Sequence, residues 1–471
     1  MPAIITDRFR IHNSEQFSEA FSEASGNTFY LGIGRPQPFA TSTRADGRTN
    51  NEGTDSAPIT PADNVNAQTF PYDDLLAAKK ITTTDVTFAV PRRNWTTGTT
   101  YDIYRHDYGD RITGTANNQT ANSGASTLHD AAFYVLTSER NVYKCLDNNN
   151  NAASTVEPTT TPPSTIISTA DGYRWKYMYT LTASQQANFL STDFMAVATD
   201  SNVSANATAG AVNIVKIKTA GSGGTDGTHT GIAMRGDGSN GTVSVTVTSG
   251  AVTAVTVTNK GTGYTYATIS NAQIVAAGAT NLVGAELDCI IEPKGGHGFN
   301  AVEELGGFYV MMNTSLEGTE SSNTGDFTVA NDFRKITLIR DPKSGGSAAS
   351  TLTLRGTKAV NLSGVSGTFT VDEEINQAST GAVGKVVEWD SVNSILYYIQ
   401  TRHNDEGVDT NGNLTAFSGQ NVITGQSSSA NGTPTTSTST INSQSFTSGY
   451  SNPEIDADSG DILYIENRAP I

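Results

Sequence analysis

Cysteine, charged residues and long apolar runs are all scarce in this chain of 471 residues. Its two cysteines, Cys145 and Cys289, are too few for a disulfide framework or a zinc site. Each lies in an apolar, strand-like setting, so we expect both thiols to be buried as small hydrophobic groups. No apolar run approaches the ~18 residues of a membrane-spanning helix, and the N-terminus lacks the basic and apolar regions of a signal peptide. We therefore expect no direct membrane insertion and assembly in the cytoplasm.

The charges that are present are mostly acidic. Lysine and arginine together number 29 against 46 aspartates and glutamates, which gives a formal net charge of −17. Such a balance disfavours a nucleic-acid partner, because binding to phosphates needs basic surfaces. The acidity is better explained by solubility and by attraction to basic surfaces of partner proteins.

The composition favours a β-rich fold with many turns. Only 16% of the residues are charged, 45 are glycine, and long helical patterns are almost absent. We predict a mainly β protein with a layered β-sandwich core, two short helices and two inserted β-modules. The core comprises residues 1–209, 292–342 and 441–471, and the Gly/Thr-rich inserts comprise residues 210–291 and 343–440.

Local patterns place the main elements. We predict one helix over residues 14–23, with Ser14 as N-cap and Phe17 and Phe21 on one face, and a second over residues 71–80. Residues 41–64 are predicted to be an exposed loop, and residues 147–170 a surface segment without strand pairing. Alternation predicts strands over residues 28–34, 85–90, 133–137, 141–146, 171–181 and 332–340, and a hairpin over residues 242–258 about a Ser-Gly turn.

No catalytic or metal-binding motif is recognisable. The phosphate-binding loop, the nucleophile elbow, the zinc-protease motif and the EF-hand are all missing. The oxygen-rich residues 405–413 lack the ligand spacing and final glutamate of a calcium loop. The adjacent acids Glu303 and Glu304, or Asp372 and Glu373, could serve a glycosidase, but such pairs are normally solvated. We expect no enzyme, no cofactor and no metal.

His297 is the one histidine in a suggestive setting, Gly-Gly-His-Gly. Its neighbouring glycines allow positive φ and close backbone approach, which suits a tight turn packed on another chain.

Two further segments carry candidate contacts. In VPRRNW (residues 90–95) the strand stops at Pro91, and Arg92, Arg93 and Trp95 follow. This segment is either a partner anchor, since arginine and tryptophan dominate interface hot spots, or a strand end with solvated arginines and a tryptophan that caps the core. In residues 171–181 alternation places four aromatic rings on one face, which favours a half-buried sheet over a sugar-stacking platform.

Several segments, taken together and in order, resemble the baseplate wedge protein found as a dimer in contractile-tailed phages. They are FYLGIGRPQPF (29–39), VPRRNW (90–95), VYKCLD (142–147), VEP (156–158), DGYRWKY (171–177), FRKITLI (333–339) and ILYIENRAPI (462–471). The Pro-Arg-Arg-x-Trp and Glu-Asn-Arg-x-Pro-Ile pieces are the most telling.

The resemblance implies a structural virion protein of the tail baseplate, assembled in the host cytoplasm. It implies a homodimer that bridges other baseplate wedge proteins, with tail-fibre or peripheral baseplate proteins as candidate partners of the inserts. The candidate assembly residues are Arg35, Arg92, Arg93, Trp95, Trp175, His297, Glu466, Asn467 and Arg468. The inserts depart from shorter family members. The family usually carries a further strand after the last motif, so we expect either a shortened product or a truncated chain.

Two other functions stay open from the sequence. A carbohydrate-binding tail protein would meet host polysaccharide through the inserts and the aromatic face of residues 173–179. A depolymerase, the weaker alternative, would need a cleft of paired carboxylates.

Overall fold

The structure is a computed structural model that describes residues 6–23, 26–39, 52–61, 71–108, 121–125, 127–315, 332–349, 356–400, 407–411, 413–441, 444–446, 448–451 and 459–471. It divides into two compact units. Unit 1 contains residues up to Ser18 and Val86–Asn313, and unit 2 contains Glu19–Asp85 and Thr314–Ile471. The fold is mainly β, as the sequence predicts.

The helices are short and the strands numerous. The helices are α1 (Asp7–Ala20), α2 (Ala183–Phe189), α3 (Ser201–Ala205), α4 (Asn271–Ala276) and α5 (Ala301–Leu305), with a 3-10 turn at Thr83–Asp85. The first strands are β1 (Phe29–Gly34), β2 (Gly53–Thr54), β3 (Ala57–Pro58), β4 (Leu75–Ile81), β5 (Val86–Pro91), β6 (Tyr134–Leu136), β7 (Asn141–Asp147), β8 (Ile166–Ser168), β9 (Arg174–Thr180), β10 (Phe194–Val197), β11 (Ile214–Ser222), β12 (Gly227–Ala233), β13 (Arg235–Gly236), β14 (Thr242–Thr248), β15 (Ala251–Asn259) and β16 (Ala267–Ile269). The remaining strands are β17 (Val283–Ile290), β18 (Tyr309–Met312), β19 (Lys335–Arg340), β20 (Lys343–Ser344), β21 (Ser347–Ala348), β22 (Lys358–Ser366), β23 (Glu374–Gln377), β24 (Ala382–Asp390), β25 (Ile395–Ile399), β26 (Ile423–Gly425), β27 (Asn431–Pro434), β28 (Ser439–Ile441), β29 (Gln444–Phe446), β30 (Tyr450–Ser451) and β31 (Asp461–Asn467).

Two sheets of unit 1 share one hydrophobic core. The sheet β10-β5-β18 and the sheet β6-β7-β9-β8 both contribute to it. Val90, Tyr134, Val142, Trp175 and Met195, from five different strands, are each less than 2% exposed. The first cysteine, Cys145, belongs to the same core, so its predicted burial is confirmed.

Residues 212–291 of unit 1 have a core of their own. The sheets β11-β17-β16-β13 and β12-β14-β15 enclose it, with Val243, Val245 and Ile274 fully buried. The predicted hairpin is confirmed as β14 and β15. Ser249 and Gly250 at its turn have φ of 53° and 77°, which matches the turn whose twist suits a two-residue hairpin.

Unit 2 combines an open sheet with a closed barrel. The open sheet has the order β31-β19-β1-β4, and all its pairings are antiparallel. Strands β22, β25, β24, β23, β26 and β27 pair in a ring, because β22 bonds both β25 and β27. Ring closure leaves these strands without an unpaired edge between them.

Both helix predictions need correction. The first helix begins at Asp7, and Ser14 lies inside it, 6% exposed, with its hydroxyl donating to the carbonyls of Ile11 and Gly307 at 2.7 and 2.9 Å. Ser14 is therefore not an N-cap. The second predicted helix is one helical turn at residues 71–73 followed by strand β4, which pairs with β1. Pairing with β1 overrides the helix propensity of its alanines, leucines and lysines.

Two loop predictions were also wrong in part. Within residues 41–64, β2 and β3 form a small hairpin, and residues 41–51 and 62–64 lie outside the described residues. Within residues 147–170, the short strand β8 pairs with β9. These three strands are only two or three residues long, too short for an alternating pattern to show.

Candidate assembly surfaces

The segment VPRRNW connects the two sheets of the unit 1 core. Pro91 is the last residue of β5, as predicted. The chain then pairs with β6: the Leu136 amide donates to the Arg93 carbonyl at 2.7 Å, and the Trp95 amide donates to the Leu136 carbonyl at 2.8 Å. The segment is therefore a crossing between sheets.

The two arginines of this segment are half-buried and brace neighbouring loops. Arg92 donates from Nη1 to the Ser191 carbonyl at 2.8 Å and from Nε to Asn94 Oδ1 at 2.9 Å. Arg93 donates from Nη2 to the Asp130 carbonyl at 3.2 Å. These contacts use a minority of the five donors that each guanidinium carries. Both side chains thus hold local structure and remain partly exposed.

Trp95 caps the core. Its side chain packs against the unit 1 core, and its indole nitrogen donates to Ser154 Oγ at 3.1 Å. The second reading of this segment, in which the tryptophan caps the core, is confirmed for Trp95.

The aromatic strand β9 is buried on both faces. Tyr173 and Trp175 are fully buried, with their rings stacked 5.3 Å apart between centroids. Tyr177 and Tyr179 are 7% and 2% exposed, and Met178 on the opposite face is 1% exposed. A sugar-stacking platform is contradicted, because sugar stacking needs an accessible ring face. Trp175 is likewise enclosed and cannot contact a partner.

A buried ion pair lies beneath the Gly-Gly-His-Gly turn. The ammonium of Lys144, on β7, hydrogen-bonds Oε2 of Glu304, on α5, and the two side chains are 0% and 2% exposed. Glu304 also accepts the Gly298 amide through Oε1 at 2.8 Å. Burial lowers the pKa of Lys144, whereas the neighbouring Glu304 carboxylate favours the charged ammonium.

His297 lies inside this cluster. The predicted tight turn exists, since Gly295, Gly296 and Gly298 have φ of 84°, 100° and 89°. The imidazole is 5% exposed, its Nδ1 lies 4.0 Å from Glu304 Oε2, and it packs edge-on against Tyr104. The expected packing on another chain is therefore wrong for this side chain. Burial, followed by three nearby lysines, lowers its pKa well below the ordinary value, so the imidazole is neutral.

The predicted solvation of the adjacent acids was wrong for two of them. Glu304 is 4% exposed, and Glu373 is 6% exposed. Glu373 accepts the amides of Thr370, Ser427 and Ser428 at 2.7, 3.1 and 2.9 Å, so it fastens a loop. Glu304 is bound by a lysine and backbone amides, and Glu373 by backbone amides and serine hydroxyls, so each carboxylate has a structural role.

The Arg35 side chain in unit 2 is buried and connects neighbouring segments of that unit. The residue is 3% exposed, has φ of 59°, and pairs through Nη2 with Glu52 Oε2 at 2.6 Å. Its guanidinium carbon lies 4.3 Å from the centroid of the Phe39 ring. The Arg-Pro-Gln-Pro segment is thus held from inside the unit, and Arg35 does not present its charge to a partner.

The candidates at the end of the chain lie on an edge strand. In β31, Asn467 donates to the Ile59 carbonyl at 3.1 Å, and Glu466 lies 4.0 Å from Arg468. All three side chains are partly exposed. Beside them Leu463 and Tyr464 are 42% and 51% exposed, which the sequence reasoning missed. The sequence did carry a signal for these exposed apolar residues. A half-buried strand needs apolar residues only at alternate positions, but here four follow one another, Ile-Leu-Tyr-Ile.

A second apolar surface was missed entirely. An open groove in unit 1 is lined by Phe9, Arg10, Asn13, Ser14, Phe17, Phe308 and Val310. The guanidinium carbon of Arg10 lies 3.5 Å from the centroid of the Phe308 ring, and Phe9 is 53% exposed. The groove joins α1 to β18, which are far apart in sequence, so no local pattern could have indicated it.

Possible metal ligands in the described residues do not converge. Among those residues, no three histidine, cysteine, aspartate or glutamate side chains are grouped closely enough to hold a metal ion. In the oxygen-rich segment, Asp409 Oδ1 accepts the amides of Asn411 and Asn413 at 2.8 and 2.9 Å, while residues 405, 406 and 412 lie outside the description. None of the helices described is long and apolar enough to cross a membrane.

These features describe a β-rich fold whose candidate sites are segments of its surface. Residues 3–158, about a third of the chain, match the family model described as Phage-Gp8: Bacteriophage T4, Gp8. The match confirms the resemblance to a baseplate wedge protein of contractile-tailed phages. The chain is accordingly a virion protein of the tail baseplate, and the family implies association with other baseplate proteins. No curated protein matches the chain.

The match includes some candidates and excludes others. Arg35 and the whole VPRRNW segment lie within residues 3–158. Trp175, His297 and the candidates of β31 lie beyond it. Within the matched region the Arg35 side chain is buried, whereas the side chains of Arg92 and Arg93 are partly exposed.

Proposed function

We propose that this chain is a baseplate wedge subunit that associates with a second copy of itself and bridges other wedge proteins. The observation that carries the proposal is the exposed groove of unit 1, where Phe9 and Arg10 of α1 lie beside Phe308. Exposed aromatic and arginine side chains in one concave surface have the composition of an interface hot spot. No catalytic activity belongs to the proposal.

Partner contact through the groove is tested with Phe9→Ala. Phe9 is 53% exposed, so the substitution removes contact surface and costs the fold little. The matched control is Tyr266→Ala, an aromatic residue of unit 1 that is 60% exposed and lies away from the groove. Size-exclusion chromatography with light scattering measures self-association, and mixing with the other wedge proteins measures assembly. We expect Phe9→Ala to weaken at least one of the two by about tenfold or more, and Tyr266→Ala neither. Equal behaviour of the two variants would contradict the role of the groove.

Arg92 and Arg93 provide a second contact to test. The double variant Arg92→Ala, Arg93→Ala should keep the fold, because the lost bonds go to carbonyls of the exposed residues Ser191 and Asp130, yet impair wedge assembly. Arg235→Ala, at an exposed arginine of β13, is the matched control. An unfolded double variant would show that the fold itself requires these two arginines, and normal assembly would show that they lie outside the interface.

The inserts are proposed to contact tail-fibre or peripheral baseplate proteins. The carbohydrate-binding alternative loses its aromatic face, because all four rings of residues 173–179 are buried. The inserts, residues 210–291 and 343–440, could still bind glycans without that face. If they do, the full chain should give a signal on a glycan array. Absence of signal there would count against glycan binding.

A further inference from the structure

Residues 212–291, called the arm from here on, join the rest of unit 1 at the strand pair β11–β17 and at residues 260–264, where the amides of Gly263 and Tyr264 donate to the carbonyls of Ala209 and Gly210. Ile214 of β11 lies opposite Ile290 of β17, and both side chains belong to the shared core of the two sheets described first. At the next position outward, Val215 lies opposite Cys289, and both belong to the separate core of the arm. Because successive residues of a strand point to opposite faces, the β11–β17 ladder lies between the two hydrophobic cores and contributes one face to each.

The following position of the ladder is charged on both strands. Lys216 lies opposite Asp288, and each of them pairs with a residue outside the arm. Asp288 Oδ2 lies 2.6 Å from Nη2 of Arg105, and Lys216 Nζ lies 3.0 Å from Asp147 Oδ1. One ladder position thus carries two ion pairs of opposite polarity, which together tie both strands of the arm to the remainder of unit 1.

These charges are largely removed from water. The Arg105 and Asp288 side chains are 10% and 24% exposed, and those of Lys216 and Asp147 are 20% and 21% exposed. Arg105 is also held by Asp107, whose Oδ1 lies 2.9 Å from its Nε. Salt screens such partly buried pairs less than exposed ones, so they act at physiological ionic strength.

We propose that the arm is a separately cored unit latched to the rest of unit 1 by this charged ladder position. Removing a charge from the latch frees the base of the arm without opening the shared core, because the two hydrophobic cores have different side chains. The latch fixes the direction in which the arm extends, and so determines where its surface is available to a partner.

Hydrogen exchange followed by mass spectrometry on the full chain tests the latch. Asp288→Asn keeps the size of the side chain and removes its charge, and Arg105→Met removes the opposite partner. The matched control is Lys218→Met, because Lys218 lies on the same strand β11 but its pair with Glu286 is 64% and 59% exposed.

The expected result is a local change. Amides of residues 215–217 and 287–289 should exchange about tenfold faster in both latch variants, as expected for the loss of a partly buried ion pair. Amides of β7 and β9 should keep their wild-type rates, and Lys218→Met should change neither set. Equal acceleration of β7 and β9 would overturn the separation of the cores, and unchanged exchange at the base of the arm would overturn the latch.

Discussion

Replacing Lys144 by methionine should destabilise unit 1 strongly. The substitution keeps an unbranched side chain but removes the ammonium, which leaves the Glu304 carboxylate, 2% exposed, without its cation. Breaking a buried ion pair in this way costs ~3–5 kcal/mol of unfolding free energy. Glu304 keeps the amides of Gly298 and Asn300 at 2.8 and 3.3 Å, so we expect a value near the lower end of that range.

The assay is urea unfolding followed by tryptophan fluorescence, with calorimetry for the midpoint temperature. For a unit of this size ~3 kcal/mol corresponds to a fall of roughly 6–12 °C in the melting temperature. The double variant Lys144→Met, Glu304→Gln should recover part of the loss, because no charge is then left buried. Lys218→Met, at a lysine that is 64% exposed, is the control and should cost less than about 0.5 kcal/mol. The reasoning is refuted if Lys144→Met costs under about 1 kcal/mol, or if the double variant costs the sum of both single changes.

Three other perturbations test the account. Because burial lowers the pKa of His297, the unfolded chain binds a proton there below pH ~6.5 and the folded chain does not, so stability should fall as the pH falls below that value. His297→Gln should flatten this dependence in unfolding curves at pH 7.5 and pH 5.5, and an unchanged slope would contradict a neutral buried imidazole. At Asp171 burial raises the pKa, but hydrogen bonds from Thr169 and the amides of Thr155 and Val156 outweigh it and lower the pKa. The stability that Asp171 contributes is therefore present above pH ~3.9 and is lost as the pH falls through its pKa in the folded state. Asp171→Asn should lower the free energy of unfolding by about 1–3 kcal/mol at pH 7 and make the loss of stability at acid pH less steep. A variant with the wild-type acid transition would refute this. Trp175→Ala should cost about 3–5 kcal/mol, against under 0.5 kcal/mol for the exposed Tyr266→Ala, and equal costs in urea unfolding would show that Trp175 is not a core residue.

Local sequence patterns predicted the strands that alternate and end in recognisable turns. The hairpin β14–β15 followed from its Val/Thr alternation and its Ser-Gly turn, and β6, β7 and β19 also lie where strands were predicted. Strand β4 was missed because Leu75–Ile81 favours a helix when read alone, and only its pairing with β1 decides the conformation. Short strands such as β2 and β8 have too few residues to show a period.

The surfaces and the buried cluster could be predicted only in part. Lys144, His297 and Glu304 lie on separate elements, so no motif spacing could indicate that they meet. His297 was recognised from its glycines, but the same glycines suit an internal turn as well as a contact with another chain. The groove of Phe9 and Phe308 exists only because α1 packs beside β18. In VPRRNW, by contrast, the residue types left two alternatives, a partner anchor or a strand end with solvated arginines and a tryptophan that caps the core. The structure shows Trp95 packed against the core and both arginines partly exposed.

A cryo-electron microscopy map of the intact tail tests the central proposal most directly. The account predicts that density for this chain lies in the baseplate wedge, with each copy contacting a second copy and at least one other wedge protein. It further predicts that the groove of Phe9 and Phe308, or the Arg92–Arg93 segment, lies in one of those contacts. Isolated copies at the periphery that touch only a tail fibre would contradict the account.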